Sequence, residues 1–157
     1  MPTPNDLLQR SVQLACLNVE AGGGPFGAVI ADGEGRIVAE GRNSVTRCND
    51  PTAHAEINAI RQACRTRGDF RLDGLLLYSS CEPCPMCMAA AWWARLDGVV
   101  FASTRQQAAA AGFDDDRIWQ AIETGTTSSA MPIRHVALPL AGEEFDRWLA
   151  TTDRKSY

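Results

Sequence analysis

Apolar residues recur at helical spacing along the first twenty positions of the chain. They lie three or four residues apart, at Leu8, Val12, Ala15 and Val19. Thr3 and Pro4 precede them as an N-cap and a first helical proline, and glycines 22–24 follow them. This pattern predicts a first helix over about residues 4–20.

Two short apolar runs with strand character come next, at residues 26–31 and 36–41. Residues 32–35 between them are rich in the types that favour tight turns. The two runs therefore predict a β-hairpin.

The rest of the chain alternates between helical and strand patterns. Capping residues at 49–52 precede a second helix, whose apolar face carries Ile57, Ile60 and Cys64 and whose first turn carries His54 and Glu56. Strands are predicted at 75–79, 98–101 and 133–138, and helices at 85–94, 105–111, 116–123 and 143–150. The small polar residues 126–130 predict a surface loop. This alternation favours a three-layer α/β/α sandwich.

Length and composition fit one globular domain over residues 1–157. Hydrophobic residues make up 45% of the chain and charged residues 22%, which excludes intrinsic disorder. The longest apolar stretch, residues 88–94, is far too short to cross a bilayer, and the first residues lack the pattern of a signal peptide. We therefore expect a cytoplasmic protein with no membrane partner.

The charge balance argues against a nucleic-acid partner. The net charge is −4, the isoelectric point is near 5.1, and Lys and Arg form no cluster in the sequence. Tight binding to a phosphate backbone needs several cationic contacts. Nucleic acid is therefore a disfavoured ligand.

Two short runs carry the chemistry of the chain. The sequence His-Ala-Glu at residues 54–56 is followed by Pro-Cys-Pro-Met-Cys at residues 83–87. Together they match the H-x-E and P-C-x-x-C pattern that binds zinc in nucleobase deaminases. One imidazole and two thiolates, from His54, Cys84 and Cys87, supply three ligands and leave the fourth position of a tetrahedral Zn²⁺ open for water. Such an open site is catalytic, because zinc makes hydroxide available at neutral pH.

Glu56 is the candidate for proton transfer. Residues two apart do not share a lateral helix face, so His54 and Glu56 must both reach the zinc from the first turn of their helix. There the carboxylate can take a proton from the zinc-bound water, pass it to a ring nitrogen and later protonate the departing amine. This role is a hypothesis based on the motif.

The chain resembles the cytidine deaminase-like superfamily and, within it, the small zinc-dependent guanine deaminases of bacteria. The resemblance covers nearly the whole chain and rests on GPFGAVI at residues 24–30, NDPTAHAE at 49–56, SCEPCPMC at 80–87, AGFDD at 111–115 and the terminal Tyr157. The zinc motifs identify the superfamily, whereas the last two elements favour guanine.

The resemblance implies a fold and a reaction. The fold is a five-stranded mixed sheet between helices, and the enzyme is an aminohydrolase of purine catabolism that converts guanine to xanthine and ammonia. Zinc-bound hydroxide attacks C2 of guanine, and Glu56 acts as the proton shuttle.

The same resemblance assigns the substrate contacts. Phe26 and Trp93 sandwich the purine ring, Asn43 hydrogen-bonds its edge, the backbone of Ala55 faces the developing charge, and Asp114 accepts from guanine N–H groups or assists proton transfer. The C-terminal segment, about residues 141–157, is exchanged between the subunits of a homodimer, and Tyr157 closes the active site of the partner.

Several alternatives remain open from the sequence. A tRNA adenosine deaminase shares the zinc motifs, and a non-catalytic scaffold could keep the zinc fold. Cys81 could complete a closed structural zinc site with four ligands, although such a site has no use for Glu56. The sequence leaves undecided whether other purines or amino-triazines are substrates, and what role Cys48 has.

Overall fold

The computed structural model describes residues 1–124, 131 and 133–156. Its helices are α1 Pro4–Glu20, α2 Val45–Cys48, α3 Ala55–Arg67, α4 Pro85–Trp93, α5 Arg105–Ala110, α6 Asp115–Glu123 and α7 Glu143–Ala150, and its strands are β1 Gly27–Asp32, β2 Ile37–Arg42, β3 Leu75–Cys81 and β4 Gly98–Ser103. The chain divides into two compact units, Met1–Gln120 and Ala121–Tyr157. The first unit contains the whole sheet.

Helix α1 has the predicted bounds, but a different face is buried. Thr3 caps it, because the Thr3 side chain accepts from the backbone N–H of Asp6 while the Asp6 carboxylate accepts from the backbone N–H of Thr3. The buried residues are Leu7, Ser11, Leu14, Ala15 and Asn18, whereas the predicted Val12 and Val19 are exposed. Two of the buried residues are polar, and a search for apolar periodicity passes over them.

The sheet has the strand order β2-β1-β3-β4 and is mixed, as predicted. Strand β1 is antiparallel to both β2 and β3, which confirms the hairpin, and β3 is parallel to β4. Central strand β1 is buried on both faces. Its Val29 and Ala31 pack with Leu7 and Leu14 of α1, and its alternate residues pack with α3. Helices therefore cover both faces of the sheet, which confirms the three-layer sandwich.

The expected fifth strand is absent from the described residues, so the prediction of five strands was wrong. Residues 133–138 form no β-ladder, and Ile133, Val136 and Leu138 are exposed. A strand forms only where a neighbour satisfies its backbone N–H and C=O groups, and no described residue does this for 133–138. The local pattern predicted a strand but could not show whether a pairing partner exists.

Gly41 lets helix α3 approach β2 closely. A methyl group at this position would overlap the carbonyl oxygen of Ala55 and the backbone nitrogen of Ala59. The glycine thus determines the depth at which the first turn of α3, with His54 and Glu56, lies against the sheet.

The second unit carries an amphipathic helix with an uncovered apolar face. In α7 the side chains of Phe145, Trp148 and Leu149 are exposed, while Arg147 pairs with Glu143 at 3.2 Å. None of the described helices has the length and apolarity that a bilayer crossing demands. The loop predicted at 126–130 and Tyr157 lie outside the described residues.

Candidate active site

Three side chains with metal-binding atoms converge at the starts of two helices. His54 is the N-cap of α3, Cys84 is the N-cap of α4, and Cys87 lies in the first turn of α4. The Nδ1 atom of His54 lies 3.6 Å from Sγ of Cys84 and 3.5 Å from Sγ of Cys87. All three atoms are within 4.8 Å of one another. No other group of three potential metal ligands lies this close together in the described parts of the chain.

The spacing of these atoms fits zinc. Tetrahedral coordination with Zn–N near 2.0–2.1 Å and Zn–S near 2.3 Å separates nitrogen and sulfur ligands by about 3.5 Å. The structure has this separation at both the Cys84–His54 and Cys87–His54 pairs. The residues predicted as ligands therefore form a pocket of donors that suits the ion in both type and position.

The electrostatics of the three donors also favour a cation. A hydrogen bond from Cys87, with a further contribution from His54, lowers the pKa of Cys84 to about 4. The hydrogen bond between the two thiol groups, together with burial, raises the pKa of Cys87. A hydrogen bond to Cys84 raises the pKa of His54. Helix N-termini stabilise thiolates as well. Protons thus occupy positions from which a metal ion would displace them.

Glu56 lies beside the ligands and is buried. Its Oε1 accepts a hydrogen bond from Ser79 Oγ at 3.2 Å, and its Oε2 accepts one from Cys87 Sγ at 3.5 Å. Burial raises the pKa of the Glu56 carboxyl. A carboxyl group at this position can act as a proton acceptor and donor for a ligand bound beside it.

A cavity of about 290 Å³ opens onto this cluster. Its lining includes most of the residues that the sequence predicted for the site: Phe26, Asn43, His54, Glu56, Cys84 and Asp114. The cavity is at the small end of the usual range for ligand sites, about 300–1,000 Å³. It suits a single heterocycle better than a larger ligand.

An aromatic pair forms one side of the cavity. The rings of Phe26 and Phe113 meet edge to face, with centroids 4.8 Å apart and planes at 77°. Near them, Oδ1 of Asn43 accepts from the backbone N–H of Val45 at 3.3 Å. Nδ2 of Asn43 has no hydrogen bond within the described residues and remains available as a donor.

Two predicted substrate residues, Trp93 and Ala55, do not line the cavity, and a third lies outside the described residues. The Trp93 side chain is 58% exposed, and the Arg95 guanidinium lies over its ring at 5.9 Å from the centroid. Ala55, whose backbone was predicted to face the substrate, is fully buried in the first turn of α3 and is not among the residues that line the cavity. The structure describes nothing of Tyr157.

The structure adds cavity residues that the sequence did not single out. Phe113 lies inside the AGFDD run, but no local pattern distinguishes a cavity aromatic from a core one. Asp115 begins α6, and burial raises its pKa; Glu82 accepts from the backbone N–H of Arg105 at 3.0 Å. Adjacent aspartates are typical of a helix start, which hides the one that faces inward.

Cys81 is buried, as expected, and does not join the metal-binding trio. Its Sγ donates to the carbonyl oxygen of Thr104 at 3.7 Å, and burial raises its pKa to about 11. Among the described residues only His54, Cys84 and Cys87 form a metal-binding group. This arrangement favours an open site over a closed site with four protein ligands.

Known proteins with similar sequences and structures include two kinds of deaminase. Guanine deaminase of Bacillus subtilis (strain 168) is 48% identical over 151 residues, which make up 96% of each protein. An X-ray structure of guanine deaminase from Bacillus subtilis matches with a TM-score of 0.93 at 46% identity, over 99% of both chains. The tRNA-specific adenosine deaminase of Aquifex aeolicus (strain VF5) is 44% identical over 84 residues, which are 54% of this chain and 55% of that protein.

A family model covers the part of the chain that holds all three ligands. The model for the cytidine and deoxycytidylate deaminase zinc-binding region matches residues 1–103. These residues run from α1 to the end of β4 and include His54, Cys84 and Cys87. The chain therefore belongs to the cytidine and deoxycytidylate deaminase zinc-binding family.

Proposed function

We propose that this chain is a zinc-dependent enzyme that hydrolyses guanine to xanthine and ammonia. The observation that carries the proposal is the position of Glu56, buried beside three zinc ligands at one end of a cavity of about 290 Å³. The likeness to Bacillus subtilis guanine deaminase over 96% of the chain supports guanine as the substrate.

Zinc would be held by His54, Cys84 and Cys87, whose Nδ1 and two Sγ atoms lie within 4.8 Å of one another. When bound, zinc supplies a Lewis acid that activates water at neutral pH. Two thiolates and an imidazole leave one coordination position for that chemistry.

Glu56 moves the protons. Ser79 aims the buried carboxylate, and burial raises its pKa above the usual value for a glutamate, which favours retention of the proton that it takes up during the reaction. Glu56 takes one proton from the attacking water and gives it to a purine ring nitrogen, and it then takes a second from the new C2 hydroxyl group and gives it to the amino group, which leaves as ammonia. The burial of Glu56 also limits exchange of that proton with bulk water.

Other side chains that line the cavity hold the purine. The edge-to-face pair of Phe26 and Phe113 provides an apolar surface for the ring. Asn43 offers its Nδ2 donor to an acceptor on the purine edge, and the Asp114 carboxylate accepts from guanine N–H groups. The edge of guanine has both acceptors and N–H donors. An amide donor and a carboxylate acceptor match such an edge better than they match a ring with acceptors alone.

The C-terminal segment 141–157 completes the site of a partner subunit in a homodimer. The exposed apolar face of α7, formed by Phe145, Trp148 and Leu149, supports this proposal because such a face is stable only when covered. Strand β4 is a sheet edge with Val100 and Phe101 exposed, which gives a second apolar surface for a partner. In the dimer, Tyr157 closes the active site of the partner.

Ammonia release by the zinc-loaded protein tests the function. The panel contains guanine, adenine, cytosine, guanosine, cytidine and a tRNA hairpin with an adenosine in its loop. Release from guanine is expected, and it should disappear after chelation and return when zinc is added. Release from the hairpin alone would show a tRNA adenosine deaminase, and no release with zinc bound would favour a scaffold.

A further inference from the structure

One buried amide ties the end of α1 to two segments that line the cavity. Asn18 lies in the last turns of α1, and its side chain is completely buried. Its Nδ2 donates to the carbonyl oxygen of Gly24 at 2.8 Å and to the carbonyl oxygen of Asn43 at 2.8 Å. Gly24 and Asn43 both line the cavity, whereas Asn18 does not.

These two bonds use the full donor capacity of the amide. An NH₂ group has two protons, and each is directed to a different carbonyl group. The Asn18 Oδ1 atom is buried and has no hydrogen-bond partner among the described residues. An unsatisfied buried oxygen destabilises the fold. The two hydrogen bonds that Nδ2 donates to Gly24 and Asn43 offset this cost.

The glycine loop is shaped around this amide. A methyl group on Gly23 would overlap the Asn18 amide, and the backbone N–H of Gly23 donates to the Asn18 carbonyl at 2.8 Å. A methyl group on Gly24 would come within 3.1 Å of Asn43 Oδ1. The glycines therefore do more than end a helix, because they allow Asn18, Gly24 and Asn43 to stack closely.

The position of the Asn43 side chain follows from these contacts. Its backbone is held by Asn18, one side of its amide lies against Gly24, and its Oδ1 accepts from Val45. Both protons of Nδ2 are left to meet a ligand. Loss of the Asn18 bond would release the backbone from which this donor projects.

We infer that Asn18 is a positioning residue for substrate specificity, which acts on the purine edge through Asn43 without touching the substrate. The inference rests on the proposed function. It predicts that removing the Asn18 donors weakens guanine binding while the proton chemistry at Glu56, which is held from β3 and α3, continues.

The test replaces Asn18 by Leu, which is similar in size and has no donors, and by Ser, which is smaller and keeps one. With guanine as substrate, we expect KM to rise about tenfold, the usual effect of one buried hydrogen bond, while kcat stays within about twofold. Zinc content should be unchanged. Ser11→Ala is the matched control, because Ser11 is buried on the same face of α1 and bonds only to Leu8 within the helix.

A double-mutant cycle separates positioning from a general structural effect. If Asn18 acts through Asn43, Asn18→Leu adds nothing to KM in an Asn43→Ala background. Additive effects, a fall in kcat with KM unchanged, or a KM change equal to that of Ser11→Ala would overturn the inference. Failure of the wild-type protein to release ammonia from guanine would overturn the proposed function as well, whereas normal wild-type turnover with an unchanged KM in both variants would overturn the positioning role alone.

Discussion

Ser79 Oγ donates a 3.2 Å hydrogen bond to Oε1 of Glu56, and both side chains are buried. Ser79 lies on β3 and Glu56 on α3, so the bond fixes the carboxylate to the sheet rather than to its own helix. The proton-transfer group thus has a defined orientation before any substrate enters.

Glu56→Gln should abolish most turnover of guanine without releasing zinc. The amide keeps the shape of the side chain but cannot accept the proton, so we expect kcat to fall by about 10²–10⁴. Steady-state kinetics with a metal assay on the same samples measures this. Glu34→Gln, in an exposed turn, is the control, and near-normal kcat in Glu56→Gln would remove the residue from its proposed role.

Substitution of any of the three ligands should release zinc, whereas substitution of Cys81 should not. His54→Ala, Cys84→Ser and Cys87→Ser each leave two ligands, which is too few for a stable site. Cys81→Ser removes a thiol that bonds to the Thr104 carbonyl instead. Zinc content after dialysis measures the difference, and loss of zinc from Cys81→Ser would support the closed four-ligand site.

Zinc affinity should depend more steeply on pH below the pKa of His54 than above it. That pKa is raised above the usual 6.5 by the bond to Cys84, so in mild acid a proton must leave Nδ1 before metal can bind. Cys84 stays ionised down to about pH 4, and Cys87 stays protonated through the neutral range. The slope of log affinity against pH therefore increases by about one as the pH falls through the His54 pKa. Competition with a chelator of known pH dependence measures this slope, and a constant slope would contradict the assignment of His54.

Gly41→Ala should destabilise the protein and reduce activity together. The added methyl group overlaps the backbone of α3, and overpacking of this kind costs about 1–3 kcal/mol. The displaced first turn carries His54 and Glu56, so kcat should fall as well. Gly33→Ala is the matched control, because a methyl group there meets nothing within 4 Å. Thermal unfolding and kinetics on both variants check the prediction, and equal behaviour would show that α3 does not depend on Gly41 for its position.

Exchange of the C-terminal segment can be tested by mixing two chains that are each impaired in a different way. Deletion of residues 154–157 should raise KM for guanine or lower kcat, and full-length Glu56→Gln should be inactive. If each tail completes the partner's site, refolding the two together with zinc forms heterodimers that have one intact site, and about one quarter of wild-type activity returns. No recovery on mixing would mean that the tail acts on its own chain, and unchanged kinetics of the truncated chain would mean that it closes no site.

Local patterns predicted most of the fold because most of its elements have strong local signals. The capping residue Thr3 and the glycines beyond residue 21 predicted the observed bounds of α1. The zinc motif predicted the three side chains that converge as a possible metal site. Residues 133–138 show the limit of local patterns. A strand-like pattern does not indicate whether a neighbouring strand is available for pairing.

The parts of the site that sequence reasoning missed depend on tertiary packing. Phe113 and Asp115 line the cavity only because α5 and α6 return to the zinc ligands, and nothing in their neighbours indicates this. Asn18 is a polar residue of α1, and sequence alone would place such a residue on the solvent-exposed face of the helix. Its role is visible only when Gly24 and Asn43 are seen on either side of it.

The convergence of His54, Cys84 and Cys87 also has a thermodynamic consequence. The ligands come from the starts of α3 and α4, and 30 residues separate His54 from Cys84. An ion bound there is a cross-link that closes a long loop, and it binds the unfolded chain far more weakly. Its binding free energy is therefore added to the stability of the fold. Zinc occupancy therefore affects the melting temperature of this protein as well as its catalytic activity. A partly loaded preparation is a mixture of two species with different melting temperatures.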